Sequence, residues 1–133
     1  MNDSDAALIA AATAARVHAW APMSDYRVGA AVRCEDGTVV GGCNVEHVVL
    51  PLTCCAEQVA IHTAVAMGQR AMTEVAVVTG SSPPASPCGA CRQVLAAWGV
   101  SRVILANDQG EVVITTLGEL LPLAFGAKDL GRR

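Results

Sequence analysis

The sequence predicts a three-layer α/β/α sandwich on a mixed five-stranded sheet, and three observations carry that prediction. Helix-like and β-rich segments alternate along the 133 residues. The first two β-rich runs flank an Asp-Gly pair, which signals a hairpin and therefore an antiparallel pair. The later strands are separated by helical segments long enough to cross a sheet face, so the sheet is covered on both sides and its strand order is mixed. The length suits one domain, residues 1–133, able to bury roughly two thirds of the surface its unfolded chain exposes.

Residues 3–20, DSDAALIAAATAARVHAW, are alanine-rich, open with Asp3 or Ser4 as N-cap and are stopped by Pro22, which predicts a helix. YRVGAAVRCEDGTVVGGCNV follows, with Glu35-Asp36-Gly37 as the hairpin turn. Residues 55–68 form the second helix, ending before Gly68, and EVAVVTG (74–80) is a short buried strand. Residues 89–98 make a third helix that ends before Gly99. SRVILAN and EVVIT are the last two strands, joined through Asn107-Asp108-Gln109-Gly110, and Glu119-Leu120-Leu121 begins the C-terminal segment.

Composition narrows the function. Apolar residues make up 53% of the chain and aromatics only 3%, with a mean hydropathy of +0.42, so the core is built from closely packed Ala, Val, Leu and Ile. That apolar excess points to surface covered between subunits. No apolar run approaches the roughly 20 residues of a membrane span, and MNDSDAAL lacks the basic start and cleavage site of a signal peptide, so a cytoplasmic protein is expected. A net charge of −3 without a basic run gives nucleic acid no electrostatic footprint and favours a small-molecule partner. Six cysteines in such a chain suggest metal-binding or reactive thiols rather than a disulfide framework.

Ligand sites in open α/β sheets gather where strand ends run into helix N-termini. LTCCAEQ (52–58) and SPCGACRQ (86–93) are two such places, and both put cysteines where exposed N–H groups and the positive helix end favour thiolate. Cys88 and Cys91 can grip one tetrahedral ion as an i, i+3 pair, and Cys54 or Cys55 can bring a third sulfur. Three protein ligands leave the open position of a catalytic zinc, whereas a structural zinc is closed by a fourth. His62 stands about 10 Å along the helix from Cys55, too far to be that fourth. His18 and His47 have no partner at ligand spacing, and each reads more simply as an ordinary surface or core histidine. Glu57 is the nearest acid to either helix tip. It can act as a general base and acid beside a metal-activated water, or be no more than a dipole-favourable first-turn carboxylate.

TCCAEQ, followed 33 residues after Cys55 by PCGACRQV, resembles the zinc-dependent cytidine deaminase family, whose pattern is Cys or His, Glu, then Pro-Cys-x-x-Cys. APMSDYRVGAAV (21–32), GCNVE (42–46), PLTCCAE (51–57), SPCGACRQVL (86–95) and ELLPLAFGAKDL (119–130) extend the resemblance, in order and spacing, to the small homotetrameric nucleoside deaminases over nearly the whole chain. The resemblance implies that Cys55, Cys88 and Cys91 hold one zinc per subunit and that Glu57 shuttles protons. It implies that Asn44 and Glu46 bind the ribose hydroxyls. The backbone of Ala56 and Ser86 would meet the pyrimidine carbonyl and amino group. Tyr26 would lie against the base in place of a more usual Phe, and Phe125 would reach a neighbouring subunit's site. The implied reaction is hydrolytic deamination of cytidine, deoxycytidine or a related cytosine nucleoside, with a role in pyrimidine salvage.

The departures from the family pattern are specific. Gln58 stands where Arg commonly hydrogen-bonds the cysteine sulfurs, which leaves the helix dipoles and Arg92 to offset three thiolates. Arg92 could instead form an ion pair across subunits. Met23, His47, Val48, Val49 and Leu50 replace polar or aromatic residues, predicting a more apolar, adaptable pocket that accepts substituted cytosine nucleosides. A blasticidin-S-type deaminase is the alternative within this chemistry. A catalytically silent zinc or nucleoside binder is another, and a redox dithiol at Cys88 and Cys91 would leave the Cys55-Ala-Glu57 half unexplained. Cys34, Cys43 and Cys54 are expected to be small buried residues beside strands.

Overall fold

The computed structural model describes residues 1–132. Its elements run α1 (Asp3–Arg16), β1 (Gly29–Cys34), β2 (Val39–Cys43), a 3₁₀ turn (Leu50–Leu52), α2 (Ala56–Ala66), β3 (Met72–Thr79), α3 (Gly89–Ala97), β4 (Arg102–Asn107), β5 (Val112–Thr116), α4 (Leu117–Leu120) and a second 3₁₀ turn (Ala127–Leu130). The strands form one five-stranded sheet in the order β2-β1-β3-β4-β5. β3 and β4 are parallel, while β1/β2, β1/β3 and β4/β5 are antiparallel, which makes the sheet mixed as predicted.

Alternation along the strands sorts their side chains between two cores. Ala31, Ala76, Val78, Ile104 and Ala106 face α1 and pack on its Leu8 and Ala12. Ala30, Val32, Val75, Val77, Val103 and Leu105 face the other way, onto Ala56, Ala60, Ile61 and Ala64 of α2 and Leu95 of α3. The small residues bring helix and sheet close together. A Cβ on Gly29 would sit 2.0 Å from the Ala12 carbonyl oxygen of α1, and one on Gly42 would sit 2.4 Å from the Ala60 nitrogen of α2.

Several boundaries differ from those predicted. The first helix stops at Arg16 rather than running to residue 20, because Trp20 is drawn into a bridge with Val45. Its N–H donates to the Asn44 carbonyl at 3.0 Å, and its own carbonyl accepts from the Glu46 N–H at 2.9 Å. Asn2, not Asp3 or Ser4, caps α1: its side chain accepts from the Asp5 N–H at 2.7 Å. The Asp5 carboxylate, in the first turn of α1, pairs at 2.5 and 2.8 Å with the guanidinium of Arg102 on β4. Arg33 extends the network to Glu74 at 2.5 Å and to the Ser4 carbonyl at 3.0 Å, so charged side chains lock the start of α1 to three strands. The C-terminal helix starts at Leu117 instead of Glu119, with the Thr116 hydroxyl accepting from the Glu119 N–H.

Strand register then defines the working end of the sheet. Gly29 pairs with Cys43 on one side and Val78 on the other. Val28, Asn44 and Thr79 therefore stand side by side at one edge, where the chain leaves β3 toward the N-terminus of α3. Among the described residues, no helix is long and apolar enough to cross a membrane.

Candidate active site

Cys55 and Cys88 are the N-caps of α2 and α3, with extended backbone at φ −74°, ψ 153° and φ −64°, ψ 168°, and neither side chain is used in capping. Their sulfurs are free to point away from the helix, into the positive field of its first turn. Cys91 lies in the first turn of α3 and is fully buried. The three sulfurs lie within 4.8 Å of one another, and the six cysteines are all unpaired. The three thiols hydrogen-bond to one another. The hydrogen bond from Cys91 lowers the pKa of Cys55 to about 6, while the same bond, together with burial, raises that of Cys91. Cys54, the alternative third sulfur, turns its thiol to the Leu52 carbonyl at 3.5 Å and does not join the cluster.

An all-thiolate trio at two helix N-termini fits a soft, tetrahedral ion and does not suit Mg²⁺ or Ca²⁺. The only thiol donor with a hydrogen bond from outside the trio is Cys91, whose Sγ accepts from Gln58 Nε2 at 3.7 Å among the described residues. Gln58 thus supplies a donor to the sulfur without supplying a charge. Arg92 makes no hydrogen bond to a cysteine among the described residues; its guanidinium donates to the Pro87 carbonyl, the Leu120 carbonyl and the Ser86 hydroxyl, each at 2.8 Å, where it braces the loop leading to Cys88.

Glu57 follows Cys55 by two residues and is 4% exposed. As the second residue of α2 it projects into the same cavity as the sulfurs. Burial raises its pKa above the ordinary carboxylate value. The cavity holds about 320 Å³, within the range of small-molecule sites. Its lining takes in Cys55, Cys88, Cys91, Glu57, Tyr26, Asn44, Glu46, Ala56 and Ser86, so sequence-predicted residues from four separate segments meet in one place. A larger groove of about 760 Å³ opens between α3, β5 and α4, but no cysteine or histidine lines it, and size alone does not make it the site.

The nucleoside-facing residues are held more tightly than sequence could show. The Asn44 amide is committed at both ends: Oδ1 accepts from the Val28 N–H at 2.9 Å and Nδ2 donates to the Tyr26 carbonyl at 2.8 Å. Glu46 accepts from the Met23 and Ser24 N–H groups at 2.8 and 3.1 Å and from the Ser24 hydroxyl. The Ser24 hydroxyl bond, ahead of the two backbone bonds, lowers the Glu46 pKa. Each side chain keeps spare capacity, one N–H on Asn44 and at least one lone pair on Glu46.

Other expectations are not met within this chain. Met23, His47 and Leu50 do not line the cavity, whose apolar wall comes from Val28, Val77 and Ala85. The side chains of Val48, Val49 and Leu50 stand out from the surface on the loop before α2. Phe125, expected in a neighbouring subunit's site, lies outside this chain's own cavity as that expectation requires; it is 61% exposed, on a tail held by a bond from Gln93 Nε2 to its carbonyl at 2.7 Å. Of the three cysteines expected to be buried, Cys34 is, while Cys43 and Cys54 are half-exposed and Cys54 lies on the cavity wall. Sequence reasoning missed Ser24, Thr79 and Ser81. A serine two residues before a site tyrosine is a turn signal, but nothing in the sequence pairs it with Glu46.

An α/β sandwich with three cysteines and a buried glutamate at two helix N-termini defines a class: enzymes that use a cysteine-held zinc to activate water. The family model described as "Cytidine and deoxycytidylate deaminase zinc-binding region" matches residues 2–107, and this chain belongs to that family. A cytidine deaminase of Sporosarcina psychrophila is 46% identical over 125 residues, covering 92% of this chain and 92% of that protein. A crystal structure of cytidine deaminase from Burkholderia pseudomallei superposes with a TM-score of 0.87 at 46% identity, covering 94% of this chain and 100% of that one. A Blasticidin-S deaminase of Bacillus cereus is more distant, at 35% identity over 108 residues, 75% of this chain and 77% of that protein.

Proposed function

We propose that this chain is a zinc-dependent hydrolase converting cytidine or deoxycytidine to the uridine product and ammonia. The observation that carries the reading is the convergence of Cys55, Cys88, Cys91 and Glu57 in one small cavity with Asn44, Glu46 and Tyr26. Water adds to the amino-bearing ring carbon, the carbon–nitrogen bond to the amino group breaks, a carbonyl replaces it, and ammonia leaves.

Cys55, Cys88 and Cys91 are the residues that would hold the zinc, and when bound the ion supplies the Lewis acidity that makes water nucleophilic near neutral pH. Glu57 takes a proton from the attacking water, gives one to the ring nitrogen beside the reacting carbon and assists the amino group as it leaves as ammonia. Its low exposure keeps bulk water from competing for those protons. The Ala56 N–H in the first turn of α2 and the Ser86 backbone orient the pyrimidine edge. Asn44 and Glu46 take the ribose hydroxyls with the capacity their loop contacts leave free, and the Tyr26 ring packs against the base. Met23, His47 and Leu50 lie outside the cavity of this chain, which supports cytidine itself as the substrate, and the more distant Blasticidin-S deaminase likeness makes that activity the second choice.

The active form is a homotetramer in which Phe125 reaches a neighbouring site. Leu123 at 103% exposure, Val48 at 83% and Trp20 and Phe125 at 61% support that assembly, because such side chains are otherwise left in water. Residues 1–133 act as one domain. Six unpaired thiols suit a reducing, cytoplasmic setting, and a net charge of −3 suits a free nucleoside from pyrimidine salvage rather than nucleic acid.

Ammonia release and the accompanying ultraviolet change, measured on zinc-loaded protein with cytidine, deoxycytidine and substituted cytosine nucleosides, test the proposal. Turnover that falls by at least about 10²–10⁴-fold in Glu57→Ala with zinc retained is expected. A zinc-loaded protein inert toward the whole panel overturns the reading.

A further inference from the structure

The cavity wall includes Tyr26, on the segment before β1, and Ala85 and Ser86, on the segment between β3 and α3. A side-chain contact outside the cavity joins the two segments: Tyr26 Oη and Ser81 Oγ lie 2.5 Å apart, with either able to donate. Tyr26 is also held through its backbone. Its N–H donates to Ser24 Oγ at 3.0 Å, and its carbonyl accepts from Asn44 Nδ2 at 2.8 Å.

Ser81 is in turn fixed to the sheet. Its N–H donates to Thr79 Oγ1 at 3.3 Å and its carbonyl accepts from Asn107 Nδ2 at 2.9 Å. Asn107 is 7% exposed, and it also donates to Glu111 Oε1 at 3.0 Å while accepting the Gln109 and Glu111 N–H groups at 3.0 Å. Ser82 Oγ donates to the same Glu111 oxygen at 2.5 Å. The turn between β4 and β5 therefore anchors the segment to which the phenol is tied.

We propose that Ser81 is a positioning residue for the nucleoside cavity, holding the Tyr26 ring in one orientation and consuming its hydroxyl so that the ring meets substrate as an apolar face. A ring 40% exposed and untethered would exchange rotamers on the picosecond to nanosecond scale and lose that freedom on binding. Tethered, it is already in place, and the difference falls on substrate binding rather than on the chemical step. A hydroxyl bound to Ser81 also leaves Asn44 and Glu46 to supply the side-chain hydrogen bonds on this side of the cavity.

The inference rests on the nucleoside deaminase reading, and the test separates the two. Zinc-loaded full-length Ser81→Ala, Ser81→Thr, Tyr26→Phe and the Ser81→Ala/Tyr26→Phe double variant are compared with the parent for KM and kcat on cytidine. Hydrogen–deuterium exchange is followed in peptides covering 80–88. Ser81→Ala and Tyr26→Phe each raise KM about 3–10-fold, the scale of one net hydrogen bond, with a smaller change in kcat. The double variant resembles either single one, Ser81→Thr restores the parent KM, and exchange across 80–88 rises in both single variants. Unchanged KM, single effects that multiply in the double variant, or a lower melting temperature with KM and exchange unmoved would each overturn the assignment. An inert parent protein sinks the deaminase reading instead, and the exchange comparison then decides alone whether Ser81 holds Tyr26.

Discussion

Gly42→Ala places one methyl group between the sheet and the helix that carries half the metal site. The new Cβ would stand 2.4 Å from the Ala60 nitrogen, 2.7 Å from the Ala56 carbonyl oxygen and 2.9 Å from the Ala60 Cα. These neighbours are backbone atoms of a helix interior, so no side chain can swing aside. Restoring ordinary contact near 3.4 Å requires β2 and α2 to separate by about 1 Å. Overpacking of this kind costs about 1–3 kcal/mol, and a chain this size loses roughly 4 °C in melting temperature per kcal/mol. The same movement carries Cys55 and Glu57 away from Cys88 and Cys91, and a misplacement of about 1 Å can lower turnover on the order of 10²-fold. Thermal melts, zinc content and kcat on the purified variant measure both effects. Gly118→Ala is the control, because the nearest atom to its Cβ is the Thr116 hydroxyl oxygen at 3.9 Å. A Gly42→Ala protein with parental melting temperature and kcat would refute the argument that this contact sets the position of α2.

Two further perturbations address the metal site and the charged lock on α1. Gln58→Ala removes the outside donor to Cys91 Sγ, and zinc affinity measured against a competing chelator should fall about 10–100-fold; an unchanged affinity would mean that the 3.7 Å contact does not support the sulfur. Asp5 is held below its usual value of 3.8, chiefly by the hydrogen bond from Arg102, so its stabilising contribution is present above that value and is lost as pH falls through the lowered one. Melting temperatures of the parent and of Asp5→Asn should therefore differ at neutral pH, and the gap should begin to narrow only as pH falls below 3.8 and close below the lowered value; a gap independent of pH would contradict the pairing.

The parts of the fold legible in sequence were those decided locally. The hairpin followed from Asp36-Gly37, whose glycine adopts φ +92°, and the two later helices followed from cysteine-bearing starts and the glycines at 68 and 99, both at positive φ. The first helix was overrun by four residues because its continuation, Val17 to Trp20, has nothing in composition against helix. Only the partner strand segment, Val45 in a bridge to both Trp20 and Cys54, draws it out. The two faces of the sheet were equally hidden, since runs such as Val75-Ala76-Val77-Val78 are apolar throughout and give no alternation to read. Gln58 shows the same limit: its neutral charge could be read from sequence, but its donation to one particular sulfur could not. Arg92 has two open roles in sequence, and within this chain its guanidinium bonds the Pro87 and Leu120 carbonyls and the Ser86 hydroxyl, contacts that no local pattern could have shown.

The two halves of the cavity are held by different physics, and this determines what damage to each does. Cys55, Glu57, Cys88 and Cys91 sit on the first turns of helices whose backbones are packed against the sheet, Glu57 and Cys91 almost without exposure. Their relative positions change only if a packed layer moves, which costs folding energy and reaches the reacting atoms directly, as at Gly42. Tyr26, Asn44 and Glu46 stand on irregular segments, held by side-chain bonds to backbone and to serine hydroxyls. Each such bond contributes about 0.5–1.5 kcal/mol net, or about 1.5–3 where the Glu46 carboxylate accepts, so its loss loosens a wall without unfolding a layer. Changes in the helix-borne half should therefore act on kcat and stability together, whereas changes among Ser24, Ser81 and their partners should act on KM with stability nearly preserved. That division also explains how Asn44 and Glu46 can serve both loop and ligand: each spends some of its hydrogen-bonding capacity fixing the segment and presents the remainder in an orientation already set.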